Sequence, residues 1–306
     1  MITVLCGGVG AARMLQALRE VAEPSSITGI VNTGDDLTLH GLRVCPDLDT
    51  ITYTLAGLNN EVTGWGLEGE TWRVMDELEQ LGGESWFRLG DRDLATHLFR
   101  TQRLAQGATL RQVTSELGAR LGVDVTLLPM TEDTVATAFE SVEHGRLSFQ
   151  DYFVRYRHDV TITEITFDGA AAALPTPGVL EALEEAERIV ISPSNPLISI
   201  APILAVPGIR SVLERRRAQV IAVSPLIGGK ALKGPADRLL RELGHDPSPQ
   251  GIARLYRDVA STLVIDEVDQ ATAALVRAEG LSCLVTNTIM SEPGAGPQLA
   301  KVILDA

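Results

Sequence analysis

The short β-branched run ITVLC (Ile2 to Cys6) passes directly into Gly7-Gly8-Val9-Gly10. A helical pattern follows, in which Ala11, Leu15, Leu18 and Val21 share a face and Arg13 and Arg19 fall among the exposed positions. The apolar run ITGIV comes next. Strand, glycine turn, helix and strand in this order predict a βαβ unit with a right-handed crossover, and so a parallel sheet. The glycines let backbone N–H groups approach a phosphate where the helix N-terminus adds partial positive charge. The turn is not a complete dinucleotide fingerprint. Gly8-x-Gly10 would need Gly or Ala where Arg13 stands, and no acidic residue lies at the distance that takes a ribose. Nor is it a Walker loop, because GGVGAAR lacks the Lys-Ser/Thr ending. It reads as a mononucleotide or phosphate loop.

The second run leads into VNTGDDLTLHGLRVCPDLDT, Val31 to Thr50, with Asp35, Asp36, Asp47 and Asp49 in two pairs. Carboxylates crowded at the carboxyl end of a strand repel one another. A divalent metal relieves that repulsion, and Mg²⁺ takes one or two carboxylates together with substrate phosphates. The competing reading is a solvated acidic loop, since the chain carries 40 acidic against 26 basic residues, a net charge of -14. The same imbalance argues against nucleic acid as a partner, because neutralising phosphates needs clustered Lys and Arg. Three scattered cysteines, Cys6, Cys45 and Cys283, make neither a disulfide framework nor a zinc site. With no basic-then-apolar leader and no apolar run of membrane length, the cytoplasm is expected.

Helical spacing recurs over Thr71 to Leu81, Leu94 to Gln106 and Leu110 to Leu121. Between the first two lies WFRLGDRDLATH, where Asp91 or Asp93 suits a helix cap and the fork of Arg92 suits a carboxylate or phosphate. His97 reads as a helix-surface residue. From Val125 to Phe167 the runs VTLLPM, TVATAFES, RLSFQDYFVRY and VTITEITF predict a meander or insertion beside the main sheet. The last third returns to α/β alternation, with strands in RIVIS, AQVIAVS, STLVID and LSCLVT and helices at Ala236 to Leu243 and Gln270 to Glu279. Two strands end in Ser192-Pro193 and Ser224-Pro225. The expected fold is a single α/β domain over 1–306, a doubly wound parallel, Rossmann-like sheet with a helical and β segment inserted at 71–170. Ligands of such sheets sit outside the carboxyl ends of the strands. The glycine turn, the aspartates, Ser192 to Asn195 and Ser224 to Lys233 are therefore expected to share one crevice. Neither a G-x-S-x-G elbow nor a histidine in a nucleophile–base context supports a hydrolytic triad. A phosphate turn, an oxygen-rich metal candidate, Lys230 and Lys233 suit phosphoryl-type transfer.

The motifs CGGVGAARML, VNTGDD, HGLRVCPDLDTITYTLAG, LGDRDLATHLFRTQ, LLPM, FQDYFVRYR, PSNPLISIAPIL and SPLIGGKALKGPA closely resemble the 2-phospho-L-lactate transferase (CofD-like) family. They run in the family's order from Met1 to Ala236. The resemblance implies a role in coenzyme F420 synthesis. A guanylylated phospho-acid, 2-phospholactate or phosphoenolpyruvate, would be joined to the deazaflavin alcohol Fo with Mg²⁺, releasing GMP. It further implies Asp35 and Asp49 as catalytic residues, Asp49 and Arg92 as contacts to Fo, and Asp35, Asp47 and Asp49 as metal ligands. Gly7, Gly8, Gly10, Ser192, Ser194, Asn195, Ser224, Gly228, Gly229 and Lys230 would surround the guanosine diphosphate part. A related branch of the fold binds nucleotide sugars as regulatory proteins, which makes a binding module the alternative. A homodimer is the commonest assembly for such a chain.

Overall fold

The computed structural model describes residues 1–306. Seven strands, β1 (Ile2–Cys6), β2 (Ile27–Val31), β3 (Thr126–Pro129), β4 (Arg188–Ile191), β5 (Val220–Val223), β6 (Thr262–Ile265) and β7 (Ser282–Val285), build one sheet. Their order is β7-β6-β5-β4-β1-β2-β3, and every pairing is parallel. Side chains of a strand alternate between faces, and both faces are covered here. Val4 and Cys6 of β1 pack with Ala11, Met14 and Leu15 of helix α1 (Gly8–Arg19), while Leu5 joins the core on the opposite face with Ile203 and Leu213. The chain lays β2 and β3 to one side of β1, then crosses to start β4 on the other. The strand order therefore reverses between β1 and β4, where open α/β sheets leave a crevice at their carboxyl ends.

Helix α2 (Pro46–Leu55) follows a small hairpin, Leu37–Leu39 with Leu42–Val44. Helices α3 (Arg73–Gln80), α4 (Asp91–Ala105) and α5 (Leu110–Leu121) come next, close to the spans that periodicity gives. No single helix is long and apolar enough to cross a membrane. The caps between α3 and α4 are exchanged. Asp91 does not cap its own helix; its carboxylate accepts from the Arg73 and Val74 N–H groups of α3. Glu70 in turn accepts from the Arg92 and Asp93 N–H groups of α4, each at 2.8 Å. Each helix thus borrows the carboxylate that satisfies its free donors from the segment leading into the other.

Two β expectations are corrected. VTLLPM does not belong to the meander: its core is β3, the edge strand of the main sheet, because its adjacent leucines serve opposite faces, Leu127 with α1 and Leu128 with the far core. The span 71–170 is thus divided by a main-sheet strand. Beyond it, Gly145–Ser148, Ala136–Ser141 and Ile162–Asp168 form a separate antiparallel sheet. FQDYFVRY leaves strand geometry for a wide helical turn, in which the Tyr156 N–H donates to Asp151 O. Phe149, Tyr152 and Phe153 are spaced as on a helix face, and Tyr152 stacks on Phe139 with ring centroids 4.3 Å apart. That packing overrides local β propensity. The expected helix at Gln270 to Glu279 is shorter, Ala273–Ala278 after a tight turn.

The crevice depends on backbone approaching backbone. A Cβ on Gly10 would lie inside van der Waals contact with the Pro193 carbonyl oxygen, and one on Gly7 would sit 2.5 Å from Ser199 Cβ. Gly10→Ala is expected to destabilise the protein by roughly 1–3 kcal/mol, the usual cost of overpacking a rigid contact. Urea unfolding measures it; an unchanged midpoint would mean that the turn yields freely.

Candidate active site

A cavity of about 520 Å³ opens between the ends of β1, β2, β4 and β5. Its floor is the Gly7–Gly10 turn, Asp35, Asp47 and Asp49; Ser194, Asn195 and Ser224 line the β4–β5 side. The lining also carries aromatic side chains, Trp65, Phe87, Phe149 and Phe153. The cavity thus presents charges and free backbone donors together with rings.

The placement of the aspartates follows from helical geometry. Asp47 and Asp49 stand in the first turn of α2, where the helix dipole favours negative charge. Residues two apart on a helix do not face the same way. Asp47 turns to the glycine turn: it accepts from the Gly8 N–H at 2.8 Å and from Asn32 Nδ2 at 3.0 Å. Asp49 turns to α4 and meets Arg100, a guanidinium only 2% exposed that holds both carboxylate oxygens. On α4, Asp93, His97 and Arg100 recur at i, i+4 and i+7 and face Asp49 and Tyr53, an i, i+4 pair of α2. The Tyr53 hydroxyl donates to Asp93 Oδ1 at 2.6 Å. Arg100 approaches His97 Nδ1 at 3.3 Å, and His97 Nε2 lies 3.2 Å from Asp93 Oδ2.

Asp35 and Asp36 part in the same way. Asp36 is buried against Arg43 at 2.9 Å and does not line the cavity. Burial raises its pKa to about 6, with Arg43 opposing. Asp35 is held through its main chain, whose carbonyl accepts from Gln150 Nε2 at 2.8 Å, while its buried Oδ1 has no partner. Burial, and after it the charge on Asp47, pushes the Asp35 pKa well up. Burial likewise raises Asp47 to about 7 against the pull of Asn32 and the Gly8 N–H. Asp93 goes the other way: burial would raise it, but His97 and the Tyr53 hydroxyl hold it low.

Ligand atoms of Asp49, Asp93 and His97 lie within 4.8 Å of one another, a spacing that would hold a metal ion. Charge points elsewhere. Asp49 is already neutralised by Arg100, and Asp93 is served by a phenol and an imidazole. Asp35 and Asp47 have only neutral donors, repel each other, and leave one oxygen orphaned. Two buried carboxylates without a cation fit a hard divalent ion with oxygen ligands.

The remaining expected site residues are distributed as follows. Ser194 Oγ donates to the Gly7 carbonyl at 2.7 Å and pins the turn, while Ser192 is fully buried behind it, bonded to Leu5 O. Asn195 lines the cavity, and its buried Nδ2 has no acceptor. Ser224 lies in the lining with its hydroxyl turned back to the Leu226 main chain. Gly228 and Gly229 form the tip of a hairpin tied by the Gly228 N–H to Asp269, outside the cavity, and Lys230 is exposed there too. Lys233 takes the place in the lining instead. Arg92 also stands outside, its guanidinium on the Glu68 carbonyl. His97, read from sequence as a helix-surface residue, is 1% exposed in the seam. The legible signal for it was the i, i+4, i+7 spacing with Asp93 and Arg100.

Removing one member of a buried ion pair strands the other. Arg100→Leu is expected to cost about 3–5 kcal/mol, and adding Asp49→Asn should recover much of that loss. Denaturation of the single and double variants reads it; a double variant no more stable than Arg100→Leu would mean that the pair is not the source of the effect.

Residues 2–290 match the family model described as 2-phospho-L-lactate transferase CofD. The chain is 43% identical to the phosphoenolpyruvate transferase of Kitasatospora aureofaciens, over 99% of this chain and 96% of that one. It is 43% identical to the protein of that name in Streptomyces griseus, with 99% and 97% covered, and 40% identical to that of Mycobacterium marinum, with 99% and 98% covered. Its fold matches a crystal structure of a UPF0052 family member from Bacillus halodurans, with a TM-score of 0.63 at 15% identity over 99% of this chain and 98% of that one. With a family match across nearly the whole chain, the chain belongs to the 2-phospho-L-lactate transferase family and is a transferase.

Proposed function

We propose that this protein transfers a phospho-acid moiety from a guanosine-diphosphate-linked donor to the primary hydroxyl of the deazaflavin Fo, with Mg²⁺, releasing GMP. The supporting observation is the mixed lining of the cavity, whose rings suit a planar ring system and whose glycine turn and carboxylates suit a metal-bound diphosphate. The names of the relatives at 43% identity favour phosphoenolpyruvate over 2-phospholactate as the acid, which would make the product dehydro coenzyme F420-0.

The Fo hydroxyl is a weak nucleophile, so position matters more than basicity. In a loose phosphoryl transition state the attacking oxygen becomes acidic only as its bond to phosphorus forms. Asp49, restrained by Arg100, is a fixed acceptor that orients the hydroxyl and takes its proton as that bond forms. The Asp93, His97 and Tyr53 network holds α4 and α2 in register behind it. Val9 and Gly10 N–H groups at the start of α1, with Asn195 Nδ2, meet the departing nucleotide phosphate; the Gly8 N–H is already committed to Asp47. A divalent ion held by Asp35 and Asp47 would supply positive charge to the diphosphate oxygens. Attack is in line and direct, because no side chain is placed as a covalent nucleophile. Cytoplasmic location and a single catalytic body, with the helical and meander segments as its walls, complete the reading.

The deciding assay mixes purified protein, Fo, Mg²⁺ and guanylylated phosphoenolpyruvate and follows deazaflavin product and GMP. Turnover is expected; binding of a nucleotide sugar with no consumption of Fo would favour the regulatory alternative. A second expectation separates metal from fold. Folded Asp35 and Asp47 titrate above the unfolded carboxylate value of about 3.9, so their contribution to stability is full below that pH. It is lost as pH rises through about 7. The metal-free protein should thus gain from Mg²⁺ more at pH 8 than at pH 5.5, since binding needs both carboxylates charged. Asp35→Asn should abolish turnover, leave the metal-free melting temperature equal or higher, and erase the Mg²⁺ shift. An Asp35→Asn protein that keeps its Mg²⁺ shift would sink this assignment.

A further inference from the structure

Arg13 lines the cavity from α1, half-buried, and makes no hydrogen bond or ion pair with the protein. That isolation sets it apart. The other half-buried arginines all have acceptors: Arg19 on Leu55 O, Arg43 on Asp36, Arg103 on Glu116, Arg188 on Ala306 O, Arg216 on Glu184 O and Ala186 O, Arg217 on Arg257 O, Arg238 on Glu242. In a chain with 40 acidic residues, a guanidinium facing a cavity with no acceptor is a donor set kept free.

Its position gives the ligand's charge. Arg13 is five residues along α1 from Gly8, whose N–H holds Asp47, so at 1.5 Å per residue it stands about 7.5 Å down the axis from the acidic end of the floor. Val9, one turn before Arg13 on the same face, lies under the clasp formed where Lys233 Nζ donates to the Thr63 carbonyl at 3.3 Å. A Cβ on Gly64 would be 2.6 Å from that Nζ and 3.4 Å from Val9 Cγ1, so the ammonium hangs over the first turn of α1. Lys233 thus stands over the first turn of α1, beside the acidic end of the floor, and Arg13 follows one turn further along the same helix face.

We infer that Arg13, with Lys233 over the preceding turn, is the anion receptor of the crevice and binds an anionic group of the phosphorylated donor. The inference rests on the transferase reading for its donor but not for its anion. A planar fork suits either a phosphate or the carboxylate of the phospho-acid, and the two sources are separable.

The test is calorimetric titration of inorganic pyrophosphate, GDP and phosphoenolpyruvate into the wild-type protein, Arg13→Gln and Arg13→Lys, with melting temperature as control. Arg13→Gln is expected to keep the wild-type melting temperature, since Arg13 touches no protein acceptor, and to weaken anion binding about ten-fold or more. Arg13→Lys should restore part of it. Weakening of GDP and pyrophosphate with phosphoenolpyruvate unaffected assigns Arg13 to a phosphate; the reverse assigns it to the carboxylate. If Fo is never consumed yet pyrophosphate binding is lost in Arg13→Gln, the receptor stands and the transferase reading falls. Binding of all three anions within two-fold of wild type in Arg13→Gln, or no binding of any by the wild type, overturns the inference.

Discussion

Asp47 and Asp49 leave the first turn of one helix in different directions, and the site is held together through that divergence. Asp47 ties the N-terminus of α2 to the N-terminus of α1 through the Gly8 N–H, and to the end of β2 through Asn32. Asp49 ties the same turn to α4 through a guanidinium buried nearly completely. Neither bond stands alone. Without Asp47 the glycine turn loses the acceptor of its first N–H, and without Arg100 a charge is left in a poorly solvated place. The sheet supplies the platform, but these two carboxylates set the distance between the glycine turn and the helical wall.

The crevice keeps its charges in separate states. Asp49 and Asp93 are matched by protein donors and stay inside the structure as fixed dipoles. Asp35 and Asp47 are not matched by any cation of the chain. An arrangement that is complete in one part and incomplete in the next is what a preorganised transfer site requires: fixed groups for geometry, unfilled ones for ligands. The aromatic side chains of the lining add surface on which a ring can lie.

Much of this was legible in the sequence where a local rule decides the outcome. ITVLC followed by three closely spaced glycines fixes a strand, a turn and a helix start, and the strand-end serines fall beside them because a parallel sheet brings its carboxyl ends together. The acidic run was legible as a site, but not its division of labour, which depends on where α4 lies. His97 looked like a helix-surface residue because Asp49, which its ring and the neighbouring Arg100 face, is about fifty positions away. VTLLPM and FQDYFVRY misled for a related reason. Both carry β-forming residues, and only the tertiary partner, the edge of β2 or the ring of Phe139, decides whether they pair or curl. Arg92 and Lys230 were charged groups in familiar surroundings, yet a one-position rotation on a helix or a hairpin tip turned each outward.

The walls of the cavity come from remote parts of the chain: Gly7 to Arg13, Asp35 to His97, Phe149 to Val154, Pro193 to Ser199, Ser224 to Ala236, and Thr288 with Met290. Contacts of such sequence separation form late, after the entropy of closing long loops has been met. A partly folded chain therefore has no version of this site, not even a weak one. Any small molecule that fills the cavity draws its protection from the completed fold, so occupancy should suppress exchange of the slowest amides in the sheet rather than only those of the loops around it. A ligand of this cavity thus depends on segments drawn from almost the whole length of the chain.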